Sequence, residues 1–384
     1  MFGCGVVPTI ADDHGPLRVL MIMTSMDCGG METFTMNIFR AIDKSKVQFD
    51  FLLHRPHRGD YEDEIERLGG RIFRIGRQNP LDYGYWLALD SFFKEHSYPI
   101  VHAQLDCMSG IPLLVAERNG SFVRIAHSHS SRQDIDFKYP IKVICKKMIK
   151  HVATHLFACG HAAGRWMFET DRFSIFPNAI DTSVYRYDAS RRASVRMKLG
   201  ISEETCVIGH VGRFAAVKNH PRIIEIFKRY HSVNCDSTLL LIGEGDLRLE
   251  VQAMVNSLNL GDSVRFLGLR SDVPDLMRAM DLFLMPSIYE GLPMSLVEAQ
   301  AAGLPCVISH TIPKDCDIVE GAIRRVPLED GDAAWVEAIT EMVKSPCNRE
   351  DWCQLVKNAG FDIRESATKL QQFYLNEYNC FYKG

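Results

Sequence analysis

The sequence has none of the long apolar segments that place a protein in a membrane or export it. Its 384 residues contain no apolar run of the roughly 18 residues that a transmembrane helix needs. The first residues, Met1 to Pro16, lack the basic region and the apolar region of a secretory signal. We therefore expect a cytoplasmic protein, and peripheral attachment to the inner face of a membrane stays open.

Closely spaced cysteine pairs are also missing. The 12 cysteines are scattered, and no C-x-x-C motif occurs. Disulfide frameworks are typical of short secreted chains and zinc sites need neighbouring ligand pairs, so neither is predicted. A D-x-D pattern at Asp134 and Asp136 precedes a basic segment and recurs at Asp315 and Asp317, so we do not interpret it as a metal site. We expect reduced structural thiols and no bound metal.

Neither sign of charge is in large excess. The chain has 44 Lys and Arg against 48 Asp and Glu, a formal net charge of −4. It therefore lacks the overall excess of basic residues that is typical of nucleic-acid-binding proteins. No G-x-G-x-x-G motif follows an apolar run, which weakens the interpretation as a dehydrogenase.

The sequence instead alternates short apolar runs with amphipathic segments of helical length. The runs are continuous, as expected of parallel strands buried on both faces, and this predicts an α/β fold with doubly wound sheets. The predicted strands are Leu17–Met23, Phe49–His54, Arg71–Ile75, Ile100–Gln104, Val123–His127, His155–Cys159, Cys206–Val211, Thr238–Ile242, Val264–Leu267, Leu282–Met285 and Pro305–Ser309. Predicted helices include Met31–Ala41, Tyr83–His96, Leu247–Leu258 and Pro293–Ala302.

At 384 residues, the chain is expected to hold two to three domains of roughly 150 residues each. A polar stretch near residues 178–192 separates the two series of strands. We predict a first Rossmann-like domain at residues 1–182 and a second at 183–362, with the helix in 363–384 packing back on the first. Because ligands lie beyond the carboxyl ends of strands in such sheets, one active site between the domains is expected.

The most informative segment is residues 282–309. A predicted strand is followed by a loop with Glu290 and Gly291, and then by a helix that contains Glu298. The free N–H groups and positive dipole end of a helix N-terminus attract anions. A carboxylate beside it can accept hydrogen bonds from two hydroxyls of a ribose or sugar ring. Two glutamates at this spacing are also common as solvated helix residues. Only the surrounding motif distinguishes ligand-binding carboxylates from solvated ones.

That motif, PSIYEGLPMSLVEAQAAGLP at residues 286–305, resembles the signature P-S-x-x-E-G-x-P-x-x-x-x-E-A-x-A-x-G-x-P of retaining GT-B glycosyltransferases of family 4, also called glycosyltransferase group 1. The resemblance extends over most of the chain, and the chain is most similar to members that build exopolysaccharide or capsule. The other matching segments are GGMET, HSHS, FPNAIDTSVY at 176–185, GHVGRFAAVKNH at 209–220, LLLIGEGDLRLEV at 239–251 and residues 264–287.

The resemblance implies a GT-B fold, with two Rossmann-like domains facing a central cleft. The implied donor-binding residues are Gly29, Gly30, Arg213, Lys218, Phe266, Gly268, Glu290, Gly291, Leu292 and Glu298. Among them, Glu298 would hold the ribose and Glu290 the donor sugar. Arg213 and Lys218 would bind the diphosphate, because their charges stabilise the departing nucleotide without a metal. The backbone near Phe266 would contact the base.

In the first domain, Gly29 and Gly30 follow the first strand, where the absence of side chains lets a phosphate approach a helix N-terminus. His127 and His129 end the fifth strand and are predicted to face the cleft. The family has one histidine here against the donor sugar, and the spacing leaves open which of the two it is. The candidate catalytic residues are thus His127, His129 and Glu290.

Residues 138–151 form a basic amphipathic segment, KYPIKVICKKMIKH. Such a helix can lie on an anionic membrane, where a lipid-linked acceptor would be found, or it can be an ordinary solvated helix with a core-facing stripe. Its lysines are Lys138, Lys142, Lys146, Lys147 and Lys150.

These observations predict a retaining hexosyltransferase that moves a sugar from a nucleotide-sugar, with UDP expected as the nucleotide, to a glycan or lipid-linked acceptor. No cofactor or metal is expected. The alternatives are another GT-B reaction on sugar nucleotides, such as epimerisation or phosphorolysis, and a regulator that binds nucleotide-sugar without catalysis.

Overall fold

The computed structural model describes residues 15–130, 139–345 and 348–383. The chain divides into two units, residues 1–178 with 363–384 and residues 179–362. The prediction had placed this boundary after residue 182, a few residues later. The Asp134–Asp136 pattern and Lys138 lie outside the described residues.

The first unit contains a parallel seven-stranded sheet of order β3-β2-β1-β4-β5-β6-β7. The strands are β1 Leu17–Met23, β2 Val47–Leu53, β3 Ile72–Arg74, β4 Ile100–Ala103, β5 Val123–Ser128, β6 His155–Ala158 and β7 Ser174–Ile175. The helices are α1 Gly30–Ala41, α2 Glu62–Arg67, α3 Tyr83–Glu95, α4 Gly110–Arg118, α5 Tyr139–Val152, α6 His161–Phe168 and the carboxyl-terminal α15 Ile363–Lys383.

The second unit contains a parallel six-stranded sheet of order β10-β9-β8-β11-β12-β13. Its strands are β8 Cys206–Val211, β9 Ser237–Ile242, β10 Val264–Gly268, β11 Leu282–Met285, β12 Cys306–Ser309 and β13 Ile323–Val326. Its helices are α7 Thr182–Tyr185, α8 Ala189–Leu199, α9 His220–His231, α10 Arg248–Ser257, α11 Val273–Ala279, α12 Met294–Ala301, α13 Asp332–Lys344 and α14 Trp352–Val356.

The predicted α/β fold with two Rossmann-like domains is confirmed. Every residue of β2, β4, β9, β11 and β12 is buried, which explains why most of their residues are apolar. In β2 the buried Asp50 interrupts the apolar run and is paired with Arg18. Strand β13, IRRV, is absent from the predicted set because its two arginines interrupt the apolar pattern. None of the helices in the described residues is both long and apolar enough to cross a membrane, and the described cysteines are free thiols.

A buried arginine fastens α8 to the second sheet. The side chain of Arg196 is 1% exposed, and its Nη2 donates to Asp281 Oδ2 at 2.9 Å. The same carboxylate oxygen accepts from the backbone N–H of Val207 at 2.8 Å, and Oδ1 accepts from Arg192 at 2.7 Å. Asp281 therefore neutralises a guanidinium that has lost its water.

We expect Asp281→Ala to lower the free energy of unfolding by about 3 kcal/mol, because Arg196 would keep its buried charge with only the exposed Glu203 carboxylate, at 3.8 Å, as a partner. Urea unfolding followed by circular dichroism measures this loss. The control is Glu341→Ala, which removes an exposed partner of Arg324 at 3.7 Å and should cost about 0.5 kcal/mol or less. Equal losses in the two variants would contradict the structural role of Asp281.

Candidate functional site

The strand order of the second sheet reverses beside β8, whose neighbours are β9 on one side and β11 on the other. Ligands of open α/β sheets bind at such a reversal, because the loops after the two central strands separate there. The loop after β8 carries Arg213 and Lys218, and the loop after β11 carries Glu290 and Gly291. The topology thus brings together residues that are far apart in sequence.

Lys218 and Glu290 form an ion pair across this reversal. Lys218 Nζ lies 2.7 Å from Glu290 Oε1, and the side chains are 17% and 12% exposed. Two hydrogen bonds join the loops beside the pair: Asn219 Nδ2 donates to the Pro286 carbonyl at 3.1 Å, and the Ile288 N–H donates to the Val217 carbonyl at 2.8 Å. These hydrogen bonds hold the two loops, and with them the ion pair, in place. The pair offers a cation that can bind a phosphate group and a carboxylate that can accept hydrogen bonds from hydroxyl groups.

Arg213 differs from Lys218 in its surroundings. Its side chain is 71% exposed, and its Nη2 lies 3.6 Å from Asp246 Oδ2, which is itself 92% exposed. An ion pair this open is weak, so the guanidinium can leave it for a bound anion at little cost.

Three glycines bring the loops after β8, β9 and β10 into backbone contact. Gly243 and Gly245 have φ angles of 138° and 153°, and a Cβ atom on them would lie 2.2 Å from the Gly212 carbonyl oxygen and 2.6 Å from that of Phe214. Gly268 also has a positive φ of 67°. Only glycine fits this packing. The GEG sequence at residues 243–245 is the signal for this packing in the sequence.

Of the remaining predicted donor residues, Phe266 is partly buried and lies near Phe214, with ring centroids 6.0 Å apart. Leu292 is buried, at 7% exposure.

Two buried histidines, His210 and His220, lie beside this loop, at the two ends of the segment GHVGRFAAVKNH. His220, the first residue of α9, stacks on Phe214 with ring centroids 4.0 Å apart, and His210 lies next to it at 5.0 Å. The Nε2 atoms of both are buried and have no hydrogen-bond partner among the described residues. Burial, and secondarily the charge of Lys218, lower the pKa of His220 to about 4, so its ring is neutral at pH 7.

Glu298 lies on α12, and its surroundings disfavour its charged form. The side chain is partly buried, and the loss of water around the carboxyl group raises its pKa to about 7, while a hydrogen bond with Tyr185 opposes the rise. The pKa of Tyr185 is raised by burial and by the neighbouring Glu298. A buried carboxyl group with one phenol partner can accept further hydrogen bonds from a ligand.

In the first sheet, the strand order reverses at β1, which lies between β2 and β4. Gly29 and Gly30 follow β1 as predicted, but the space at Gly29 is occupied: a Cβ atom there would lie 2.3 Å from Glu32 Oε2. A Cβ on Gly30 would meet no atom within 4 Å. Gly30 therefore leaves room for a ligand, whereas Gly29 makes room for the Glu32 carboxylate, whose pKa is raised by burial.

The two predicted histidines lie side by side at the end of β5, with ring centroids 4.2 Å apart. His127 is 1% exposed, and its Nδ1 lies 3.1 Å from His102 Nε2 on β4. His129 is partly exposed, and its Nδ1 lies 3.1 Å from Asn178 Oδ1. His129 is therefore the more exposed of the two residues, although the Nε2 atoms of both rings are buried and have no hydrogen-bond partner among the described residues.

Asp106 supports the loop that carries His129, although no sequence motif marks it. It follows β4 at the reversal and has a positive φ of 47°, which is rare for a residue with a Cβ atom. Its carboxylate accepts from the hydroxyl of Ser130 at 3.1 Å and faces the N–H of His129 at 3.4 Å. Burial raises its pKa. This arrangement supports the backbone that presents His129.

The basic segment folds as α5, which buries Cys145, Ile149 and Val152. Lys146 and Lys150 both reach Glu169, at 3.2 and 3.4 Å. Of the remaining described lysines of the segment, Lys142 is partly buried and Lys147 is exposed. Ile144 is 61% exposed, so the outer face of α5 combines an apolar side chain with lysine.

The raised pKa of Glu298 gives a prediction for Glu298→Gln. Folding raises this pKa from 4.5 to about 7, so the wild-type protein loses stability as pH rises through that interval. Glutamine cannot ionise, and we expect the variant to melt at a higher temperature than wild type at pH 8 but not at pH 5. Differential scanning fluorimetry at both pH values tests this, with the exposed Glu337→Gln as control. A temperature difference that is the same at both pH values would refute the assignment.

Comparison with known proteins adds to this geometry. Residues 192–359 match the family model described as Glycosyl transferases group 1, and residues 28–184 match that described as Glycosyltransferase Family 4. The chain is 35% identical to the "Putative glycosyltransferase EpsF" of Bacillus subtilis, an alignment that covers 94% of this chain and 96% of the relative. It is 25% identical to the UDP-Gal:alpha-D-GlcNAc-diphosphoundecaprenol alpha-1,3-galactosyltransferase of Escherichia coli, over 94% of this chain and 98% of that protein.

The fold also matches a solved structure. The crystal structure of Anabaena HepE in complex with UDP superposes with a TM-score of 0.77 at 18% identity, covering 94% of this chain and 100% of that chain. Since both halves match models of one enzyme class and a relative above 30% identity spans almost the whole chain, the protein belongs to the group 1 glycosyl transferases and is a glycosyltransferase with the GT-B fold.

Proposed function

We propose that the protein is a retaining hexosyltransferase that uses a UDP-sugar to extend a glycan or lipid-linked acceptor in the biosynthesis of an exocellular polysaccharide. The observation that carries this proposal is the Lys218–Glu290 pair at the strand reversal of the second sheet. The family membership and the relative that uses UDP-Gal on a diphosphoundecaprenol acceptor support the donor and the acceptor class.

In this proposal the second unit binds the donor. Lys218 and the exposed guanidinium of Arg213 bind the diphosphate, and the Glu290 carboxylate, held by Lys218, accepts hydrogen bonds from hydroxyl groups of the sugar. Glu298 accepts hydrogen bonds from the ribose once it is ionised. Since its pKa lies near 7, ribose binding also has to stabilise the charged form.

Transfer requires that charge on the leaving diphosphate be neutralised and that the acceptor hydroxyl lose its proton. Lys218 meets the first need as a preorganised cation. Glu290 is engaged with Lys218 and is therefore a poor nucleophile. We infer a front-face reaction in which the departing phosphate oxygen takes the proton of the attacking hydroxyl, the new glycosidic bond forms on the same face, and the anomeric configuration is retained. No metal or cofactor enters this scheme.

We expect Lys218→Ala and Glu298→Gln each to lower kcat/KM for transfer by about a hundredfold, because each removes a charged partner of the nucleotide. UDP-, GDP- and ADP-sugars are supplied with a lipid-linked acceptor, and the anomeric configuration of the product is read by NMR. Lys228→Ala, on the exposed side of α9, is the matched control and should retain wild-type rates.

Several outcomes would overturn the proposal. Wild-type rates in both variants would reject the donor site, and an inverted product would reject retention. Conversion of the donor without acceptor would indicate an epimerase, and a requirement for inorganic phosphate would indicate a phosphorylase. Donor binding without any turnover would indicate a nucleotide-sugar-binding regulator.

We also propose that the outer face of α5 contacts an anionic membrane peripherally. The proposal rests on the exposed Ile144 and Lys147 on one face, since an apolar side chain flanked by lysine suits the interface of an anionic bilayer. Lys146 and Lys150 contribute less than their number suggests, because both are engaged by Glu169.

We expect the double variant Ile144→Ser, Lys147→Glu to bind vesicles containing phosphatidylglycerol at least tenfold more weakly than wild type, because it loses apolar contact and reverses a charge. Cosedimentation with vesicles measures the binding. Lys46→Glu, an exposed lysine of the first unit, serves as the charge-matched control. Unchanged binding of the double variant, or an equal loss in the control, would reject the proposal.

A further inference from the structure

A chain of three fully buried side chains runs from the carboxyl-terminal helix to His127. The Tyr374 hydroxyl on α15 lies 2.6 Å from His102 Nδ1, and His102 Nε2 lies 3.1 Å from His127 Nδ1. Each of these three side chains is no more than 1% exposed. Within the described residues, His102 is the one hydrogen-bond partner of the Tyr374 hydroxyl.

The hydrogen bonds along this chain must all point the same way, because a neutral imidazole carries one N–H and one lone pair. If the Tyr374 hydroxyl donates to His102 Nδ1, then His102 Nε2–H donates to His127 Nδ1, and the proton of His127 is on Nε2. In the opposite direction, the buried hydroxyl proton of Tyr374 would have no acceptor, which is unfavourable. In the assigned direction the N–H of His127 is on Nε2, a buried atom with no hydrogen-bond partner in the described part of the chain, and it is thus left for a ligand.

His129 has a different anchor and the opposite pattern. Its Nδ1 faces the side-chain oxygen of Asn178, a residue that is 4% exposed, at 3.1 Å. An amide oxygen can only accept, so the proton of His129 is on Nδ1. Its Nε2 then carries a lone pair, and this buried atom has no hydrogen-bond partner in the described part of the chain.

The rings stay neutral, so the tautomer rather than the charge determines what each offers. Burial lowers the pKa of His102 to about 3 and that of His129 to about 4, and burial together with His129 and His102 lowers the pKa of His127 well below its usual value. Protonation of any ring would place a buried charge close to other imidazoles.

We propose that Asn178 and Tyr374 are positioning residues that hold the two histidines in opposite tautomers, so that His129 presents an acceptor Nε2 and His127 a donor Nε2–H. The role of His129 rests on the proposed function: its Nε2 accepts a hydrogen bond from a hydroxyl of a bound sugar. His127 cannot serve as a base, and it supports the His129 ring from below.

Two-bond ¹H–¹⁵N correlation spectra of the full-length protein with ¹⁵N-labelled histidine read the tautomers directly, without substrate. The His127 and His129 signals are assigned by their loss in His127→Gln and His129→Gln. We expect Nε2–H at His127 and Nδ1–H at His129 in the wild-type protein at pH 7.5. If the wild-type spectrum shows the reverse tautomer at either ring, the proposal is overturned, and no variant of Asn178 or Tyr374 is needed to decide this.

The anchors are then tested separately. Asn178→Ala should change the His129 signal alone, Tyr374→Phe should change His102 and His127 alone, and Tyr378→Phe, a matched change on the same helix, should change none of these signals. Asn178→Asp keeps an acceptor oxygen and should retain Nδ1–H at His129, which also covers the case in which the alanine variant does not fold. Signals that move together in every variant would indicate a general structural effect and reject the proposal.

Transfer assays separate this proposal from the proposed function. We expect Asn178→Ala to lower kcat/KM about tenfold, the effect of one lost hydrogen bond, with Asn178→Asp recovering part of it. Equal activity of Asn178→Ala and wild type would overturn the role of the anchor. If the predicted tautomers are found but no sugar is transferred to any acceptor, the proposed function fails while the assignment of the anchors stands.

Discussion

In each sheet the strand order reverses beside the first strand, at β1 and at β8, and the placement of the polar residues depends on this arrangement. Because all strands run parallel, their carboxyl ends share one edge, and the loops after the two central strands separate there. Lys218 and Glu290 meet across the reversal of the second sheet. In the first sheet, the loops after β1 and β4 bring Gly30, Glu32 and Asp106 to the same edge.

Burial then decides what these groups can do. In the second unit, loss of water raises the pKa of Glu298 to about 7, Lys218 is held by Glu290, and Arg213 remains exposed beside them. In the first unit, loss of water keeps the histidines uncharged. One unit therefore offers charges suited to a nucleotide diphosphate, and the other offers neutral hydrogen-bonding groups suited to hydroxyls. This difference is the reason for proposing that the second unit binds the donor.

Much of the architecture was predictable because continuous apolar runs are a direct consequence of strands buried on both faces. Strands β1, β8 and β11 were predicted with the bounds that the structure shows. Strand β13 was not predicted, since its arginines break the pattern while its backbone still pairs with β12. The motif around Glu290 and Glu298 identified the family, which the comparisons then confirmed.

The sequence by itself determined the fold class and the enzyme class and pointed to the residues of the candidate site in the second unit, because these depend on local periodicity and on motifs contiguous in the chain. Only the tertiary structure decided which histidine is the more exposed, that Glu32 fills the space at Gly29, and that Lys146 and Lys150 are engaged by Glu169. It alone showed that Tyr374, far along the chain, reaches His102. Contacts of this kind depend on how distant segments pack, and hydrogen bonds between single side chains leave no periodic pattern in the sequence.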